Sequence, residues 1–427
     1  MEERRPARLR TDVFLTLGGK GTSLLVGLLI VVLMARELGP SRQGVFAVAF
    51  SLTLILIHLG SLGLTTANPY LAAREPAHRP QLVANSLWLG AGLGIVLVGI
   101  GAAVKAVAPG LLEGLGWTAL VVALAGVPAA LVAALLQNLL LGEGRLVAYN
   151  LIEVIQFALT LAALAVGFWL LDFGVTGALA VATAARIGAA LAYLTALGHK
   201  PGRLDTALAR RMVAYGFRAY TAIVLSYLVL KLDLLLVNGY LGPRQAGLYS
   251  VAGTIADGIF VLPTVVGVNL FPRVARSGQS EQTAEVFRSV AVLYGLFCLA
   301  TIPVAGPGVR LVFGERFDGT VSLYYWLLPG IYCLGMMTIL AYHFAGRGYP
   351  TQAALVWFVG LGLNLAINVA FLPGRGAWVA SLASSIAYTV LLALHMRLFA
   401  REAGGYGVLR PRLREVVGLF RTAFARG

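Results

Sequence analysis

Charge is what this chain has least of: only 12% of its 427 residues are Asp, Glu, Lys or Arg, against roughly 25% in a soluble domain. With 59% apolar residues and a mean hydropathy of +0.84, no stretch is polar enough to form a separate water-soluble domain. Cysteine is nearly missing. Cys298 and Cys333 both lie inside apolar runs, which excludes a disulfide scaffold. Acidic residues number 18 against 33 basic ones, a net charge of +15. Without a soluble basic domain, that excess reads as loops facing an anionic leaflet, and no nucleic-acid partner is expected. There is no D-x-D and no H-E-x-x-H, and the longest connections between apolar runs are about 16 residues. Membrane-embedded glycan polymerases, ligases and glycosyltransferases need a long external loop or an acid cluster, so a non-enzyme is expected. The first apolar run continues to Met34 without a small-residue cleavage site, which argues against a removable signal peptide.

What the chain does have is apolar runs of membrane-crossing length. They fall at 13–34, 45–68, 84–106, 117–141, 147–170 and 175–197, then at 213–239, 247–271, 286–307, 321–345, 352–372 and 377–397. Each is near or above the ~20 residues a helix needs to cross hydrocarbon. Twelve crossings predict an all-α integral membrane protein with both termini on one side. That side holds 22 lysines and arginines and the other holds 7. The bias predicts a multi-pass protein of the bacterial cytoplasmic (inner) membrane with both termini cytoplasmic.

The two halves repeat. Leu38-Gly39-Pro40 leads to Gly44, Phe46, Val48 and Ala49; Leu241-Gly242-Pro243 leads to Gly247, Tyr249, Val251 and Ala252, 203 residues later. Pro128 is answered by Pro329, Gly142-Glu143-Gly144 by Gly346-Arg347-Gly348, and Gly177-Ala178 by Gly376-Ala377. Six helices repeated in the same order and orientation form a parallel internal repeat, an arrangement common in transporters. The expected organisation is an N-terminal six-helix lobe at 1–200, a C-terminal six-helix lobe at 201–400 and a basic amphipathic cytoplasmic tail at 401–427.

Ionisable residues at membrane depth are costly and mark function by default. Helical spacing puts Asp12, Thr16, Lys20 and Ser23 on one face of span one. Ser51, His58, Ser61, Thr65 and Asn68 share a face of span two, and Asn150, Glu153, Gln156 and Thr160 one of span five. Tyr220, Tyr227, Lys231 and Asn238 align in span seven, Ser250, Thr254, Asp257 and Thr264 in span eight, and Asn364 with Asn368 in span eleven. So many polar stripes predict a central aqueous cavity. Lys20 and Lys231 lie on the first helix of each repeat and would face each other there, with an anion between them as the natural ligand. Arg218, near the end of span seven, joins the cationic set or snorkels to the interface. Lys231 and Asp233 are about 200° apart around their helix, so Asp233 is expected to touch a neighbouring helix instead. Each assignment has a plainer alternative: an ion pair for the lysines, Glu153 and Asp257, and a hydrogen-bonded packing role for His58. Arg186 has no polar stripe around it and is assigned no role.

The sequence Ala35-Arg36-Glu37-Leu38-Gly39-Pro40, its echo in Lys231-Leu232-Asp233 and Gly239-Tyr240-Leu241-Gly242-Pro243, and twelve spans in this length resemble the polysaccharide-exporter branch of the multidrug/oligosaccharidyl-lipid/polysaccharide (MOP) superfamily. Within it, Wzx-type flippases of lipid-linked oligosaccharides are the nearest pattern. The resemblance implies a two-lobed, V-shaped, MATE-like bundle whose central cationic cavity takes the pyrophosphate of a polyprenyl-linked glycan. It makes Lys20 and Lys231 substrate-binding cations. Lipid II flippases have two additional helices and arginine-rich early helices, whereas span two here offers His58. The expected function is alternating-access flipping of such a glycan from inner to outer leaflet, with a cation-coupled multidrug exporter of the same superfamily as the alternative. No cofactor is expected beyond a coupling H⁺ or Na⁺, taken by Glu153 or Asp257. Expected partners are the lipid-linked glycan, membrane lipids and the glycan polymerase and glycosyltransferases of the same process, with the chain a monomer.

Overall fold

A computed structural model describes residues 4–277, 280–347 and 351–410, and among them the side chains of 18–217, 220–271, 274, 280–347 and 354–410. The elements are α1 (Arg4–Gly60), α2 (Leu64–Arg74), α3 (Arg79–Val107), α4 (Trp117–Gly142), α5 (Leu146–Leu170), α6 (Val175–Leu197), α7 (Thr206–Ser277), α8 (Ser280–Phe313), α9 (Gly319–Gly346), α10 (Thr351–Phe371) and α11 (Trp378–Ala403). Ten of these are long and apolar enough to cross a membrane. Two of the ten are interrupted, α1 at Gly39 (φ 68°, ψ 173°) and α7 at Gly242 (φ 82°, ψ 172°). Counting their limbs separately yields twelve crossings, as the hydropathy pattern predicts.

The L-G-P motif explains both breaks. Glycine takes a positive φ that side-chain-bearing residues avoid, and the proline that follows starts the next limb where no backbone donor is required. The last stretch of the second predicted span is not part of that helix. α1 ends at Gly60, and a turn through Leu62 (φ 44°) and Gly63 (φ 72°) separates it from α2, which carries Asn68.

The chain divides into two compact units. One comprises residues up to Tyr227 together with Leu234–Gly247; the other comprises Leu228–Asp233 and the chain from Leu248 onward. In the first unit, small residues let backbones approach closely, as expected where lipid supplies no hydrophobic drive between helices. A methyl placed on Gly94 of α3 would lie 2.4 Å from Pro128 Cα of α4, and one on Gly126 2.9 Å from the Thr183 hydroxyl of α6. Leu135, Leu136, Leu139, Tyr193 and Met212 lie in one of its buried clusters. In the second unit Gly330 of α9 meets Ser385 of α11 in the same way, at 2.5 Å from its Cα.

The two L-G-P turns touch within the first unit. A methyl on Gly44 would fall 1.8 Å from the Pro243 carbonyl oxygen, and one on Gly247 1.8 Å from the Pro40 carbonyl oxygen. No side chain fits at either point. The glycine four positions after each proline is therefore there for a reciprocal backbone contact. Of the predicted basic tail at 401–427, the part beyond Arg410 lies outside the described residues. Before it, Leu409 is buried and the Arg288 guanidinium donates to the Val408 carbonyl at 2.5 Å.

Candidate functional site

In the first unit the polar stripes of the first limb of α1 and of α5 mate with each other. Gly19 packs on Asn150, Gly27 on the Phe157 ring, and Lys20 Nζ donates to Glu153 Oε2 at 2.5 Å. The same oxygen accepts from Gln137 Nε2 of α4 at 2.9 Å, and Gln137 in turn meets the Tyr193 hydroxyl of α6. The Tyr149 ring lies under the ammonium, 5.1 Å from its centroid, a cation–π arrangement. The Lys20 side chain is 42% exposed and Glu153 18%. The lysine can therefore be reached while its carboxylate partner is largely sheltered.

The second unit carries a counterpart. Lys231 Nζ meets Asp257 Oδ2 at 3.2 Å, with Asp257 well exposed. Asp233, two residues on, is almost fully buried. Its Oδ2 accepts the Tyr249 hydroxyl at 2.5 Å and the Ser384 hydroxyl at 2.9 Å. Ser384 accepts from Asn364 Nδ2 at 3.1 Å, and Asn368 Nδ2 donates to the Asn364 carbonyls of backbone and side chain. A buried carboxylate at membrane depth is tolerable only with such donors around it, and the two hydroxyls on it with the two amides behind Ser384 make a small oxygen-rich cluster.

Several expectations need correcting. The stripes of spans one and five serve helix packing as well as ion pairing, because Asn150 is buried against Gly19. Asn68 faces no cavity: its amide donates to Ser86 and the Leu135 carbonyl. Asn238 likewise ties to the carbonyls of Leu111 and Glu113. His58 Nδ1 bonds the Leu54 carbonyl at 2.9 Å and its ring stacks on Tyr227 with centroids 3.5 Å apart, which is the packing role. The Arg218 side chain lies outside the described residues. Arg186, assigned no role from sequence, donates to the Thr53 hydroxyl at 3.0 Å and covers the Phe50 ring. Gln137, Tyr193, Tyr249 and Ser384 are additions, none of which lies on a polar stripe read from the sequence. Among the described residues, no three His, Cys, Asp or Glu side chains converge as a metal site would require.

A family model described as polysaccharide biosynthesis protein matches residues 9–278. The chain belongs to that family. No curated protein matches it by sequence. Among solved structures, the inward closed conformation of the lipid II flippase MurJ superposes with a TM-score of 0.80 at 12% identity, covering 95% of this chain and 89% of that one. An inward-facing multidrug resistance MATE transporter of the MOP superfamily gives 0.73 at 14% identity, covering 90% and 94%. A MOP superfamily transporter from Pyrococcus furiosus, described by the reverse polarity of its binding pocket, gives 0.68 at 15% identity, covering 93% and 95%. The family member described here thus has the MOP transporter fold.

Proposed function

We propose that the protein flips a polyprenyl-diphosphate-linked oligosaccharide from the cytoplasmic to the outer leaflet of the bacterial inner membrane by alternating access. The observation that carries this reading is the accessible lysine on the first helix of each repeat, Lys20 and Lys231, each paired with a carboxylate. A diphosphate can take the carboxylate's place, because a phosphate oxygen is at least as good a partner for an ammonium. Glu153 and Asp257 then act as placeholders that keep each lysine paired between substrates. Family membership in polysaccharide biosynthesis and the likeness to a lipid II flippase support a lipid-linked headgroup.

Energetics support outward transport. Two negative charges leaving an inside-negative cell gain roughly 4–5 kcal/mol per 100 mV. The glycan cannot cross hydrocarbon unaided, since each unpaired hydroxyl costs several kcal/mol. For an added H⁺ or Na⁺ step we assign Asp233, because Glu153 and Asp257 are committed to lysines. Its buried carboxylate, with Ser384, Asn364 and Asn368 nearby, offers only oxygen and amide ligands, which suits a hard cation or a proton.

The cation-coupled drug exporter is the second reading, favoured by the MATE likeness and by the exposed Asp257. Vesicles containing the full chain separate the two. Transfer of a polyprenyl-diphosphate oligosaccharide from one leaflet to the other without export of cationic dyes is the expected result; dye export without lipid transfer would favour the exporter.

A further inference from the structure

Arg186 stands at the middle of α6, eleven residues from Val175 and eleven from Leu197, so about 16 Å of helix separates it from either end. The residue is only 9% exposed. Among the described residues its guanidinium meets the Thr53 hydroxyl at 3.0 Å and the Phe50 ring at 5.1 Å from the centroid. Thr53 spends its own proton on the Phe50 carbonyl at 2.8 Å. Neither neighbour carries a charge.

The surrounding helices supply no carboxylate. α3, α4, α6 and the limb of α1 from Pro40 to Gly60 contain no Asp or Glu. The first limb of α1 reaches α6 where Met34 and Leu38 cluster with Ala178. Asp12 lies 22 residues before Met34, roughly 33 Å of helix away. Two turns along α6 from Arg186, Tyr193 meets Gln137, which donates to Glu153 of α5. That carboxylate is already paired with Lys20. The charge of Arg186 is thus left uncompensated by the first unit.

A lysine in this place could shed its proton, but a guanidinium cannot. A hydroxyl and a ring face partly solvate the cation without neutralising it, and an uncompensated charge away from water is costly. The architecture does not demand it either. At the offset of 199 residues shared by Gly177-Ala178 and Gly376-Ala377, the second repeat has Ser385, whose hydroxyl donates to the Trp326 carbonyl at 2.6 Å. A small neutral residue meets the packing requirement there.

We propose that Arg186 binds a small monovalent anion, chloride in ordinary solution, inside the first unit. The N–H groups it does not spend on Thr53 are not sealed in, and a charge-assisted hydrogen bond from them neutralises the cation where a water would only solvate it. One positive charge calls for one negative charge. The helices close around the arginine stem, since a methyl on Gly126 of α4 would lie 3.4 Å from its Cδ. A lipid-linked diphosphate is too large for so enclosed a place. This site is separate from the lysines and does not use the flippase reading.

The test is thermal unfolding of the full-length protein in sodium chloride and in sodium gluconate at equal ionic strength. Chloride should stabilise it, shifting the unfolding equilibrium about elevenfold at ten times the dissociation constant. Arg186→Met should abolish that difference, whereas Lys20→Ala with Lys231→Ala should keep it. Crystals of the unmodified protein grown in bromide provide a second reading that needs no variant, with an anomalous peak expected at the Arg186 guanidinium. Equal unfolding in the two salts overturns the proposal, as does a chloride effect that survives Arg186→Met or is lost with the lysines. Bromide found only elsewhere overturns it too. Displacement of the bromide at Arg186 by inorganic pyrophosphate would also overturn it, placing the arginine on the substrate's path instead.

Discussion

Arg347 and Glu402 form an ion pair that answers, with the charges exchanged, the contact of Glu143 with His199 in the first repeat. Glu143 and Arg347 occupy equivalent turns after α4 and α9, and His199 and Glu402 equivalent positions at the ends of α6 and α11. In the second unit Glu402 also receives His343, itself bonded to Thr283. In the first, Arg79 approaches Glu143 at 3.8 Å. The repeat thus keeps the tie between these helix ends and discards its polarity. Reversing Arg347 to Glu should lower stability, and adding Glu402→Arg should restore part of it. The coupling read from thermal unfolding of the four variants should be about 0.5–1 kcal/mol, since both side chains are partly solvated. Zero coupling would make the pair incidental.

The Lys20–Glu153 pair allows structural and functional roles to be separated. Lys20→Ala strands a sheltered carboxylate and should cost about 1–3 kcal/mol. Adding Glu153→Gln should recover most of that loss while leaving flipping absent. Glu153→Gln alone should tighten the binding of inorganic pyrophosphate, because the competing carboxylate is gone. Unfolding temperature and pyrophosphate titration report the two effects independently.

Gly44→Ala and Gly247→Ala each put a methyl on a carbonyl oxygen 1.8 Å away. Backbone must move, and each should destabilise by about 1–3 kcal/mol or more. Gly99 in α3 is the control: nothing lies within 4 Å of it, so Gly99→Ala should be neutral or stabilising by up to about 1 kcal/mol. Equal unfolding temperatures for all three variants would contradict the reciprocal contact.

Asp233→Asn keeps the shape of the buried cluster but removes its charge. Vesicles carrying it should still flip substrate under a membrane potential, yet show no response to an imposed Na⁺ or proton gradient. An unchanged gradient response would move the coupling step elsewhere.

How far these features could be read from residues alone depends on how local their cause is. The L-G-P motif announces its own breaks, because a positive-φ glycine followed by a helix-starting proline is a property of three adjacent residues. Helical spacing identified the polar face of span one, and Lys20 does lie on it. Periodicity names a face but not what meets it, so Asn150 and Asn68 read as cavity-lining when they pack helices. Lys231 and Asp233 were separable by angle alone, and their different partners follow from it. Tyr249 within the repeated motif, Ser384 beside Ser385 and Gln137 beside Asn138 do not announce their partners, because contact with another helix is set by tertiary packing.

The most direct measurement is leaflet-to-leaflet transfer of a polyprenyl-diphosphate oligosaccharide in vesicles containing the full-length protein, Lys20→Ala, Lys231→Ala or Lys20→Arg. Both alanine variants should lose transfer while remaining folded, and Lys20→Arg should retain a substantial part of it. Wild-type rates in both alanine variants would contradict the central claim that these two cations carry the diphosphate.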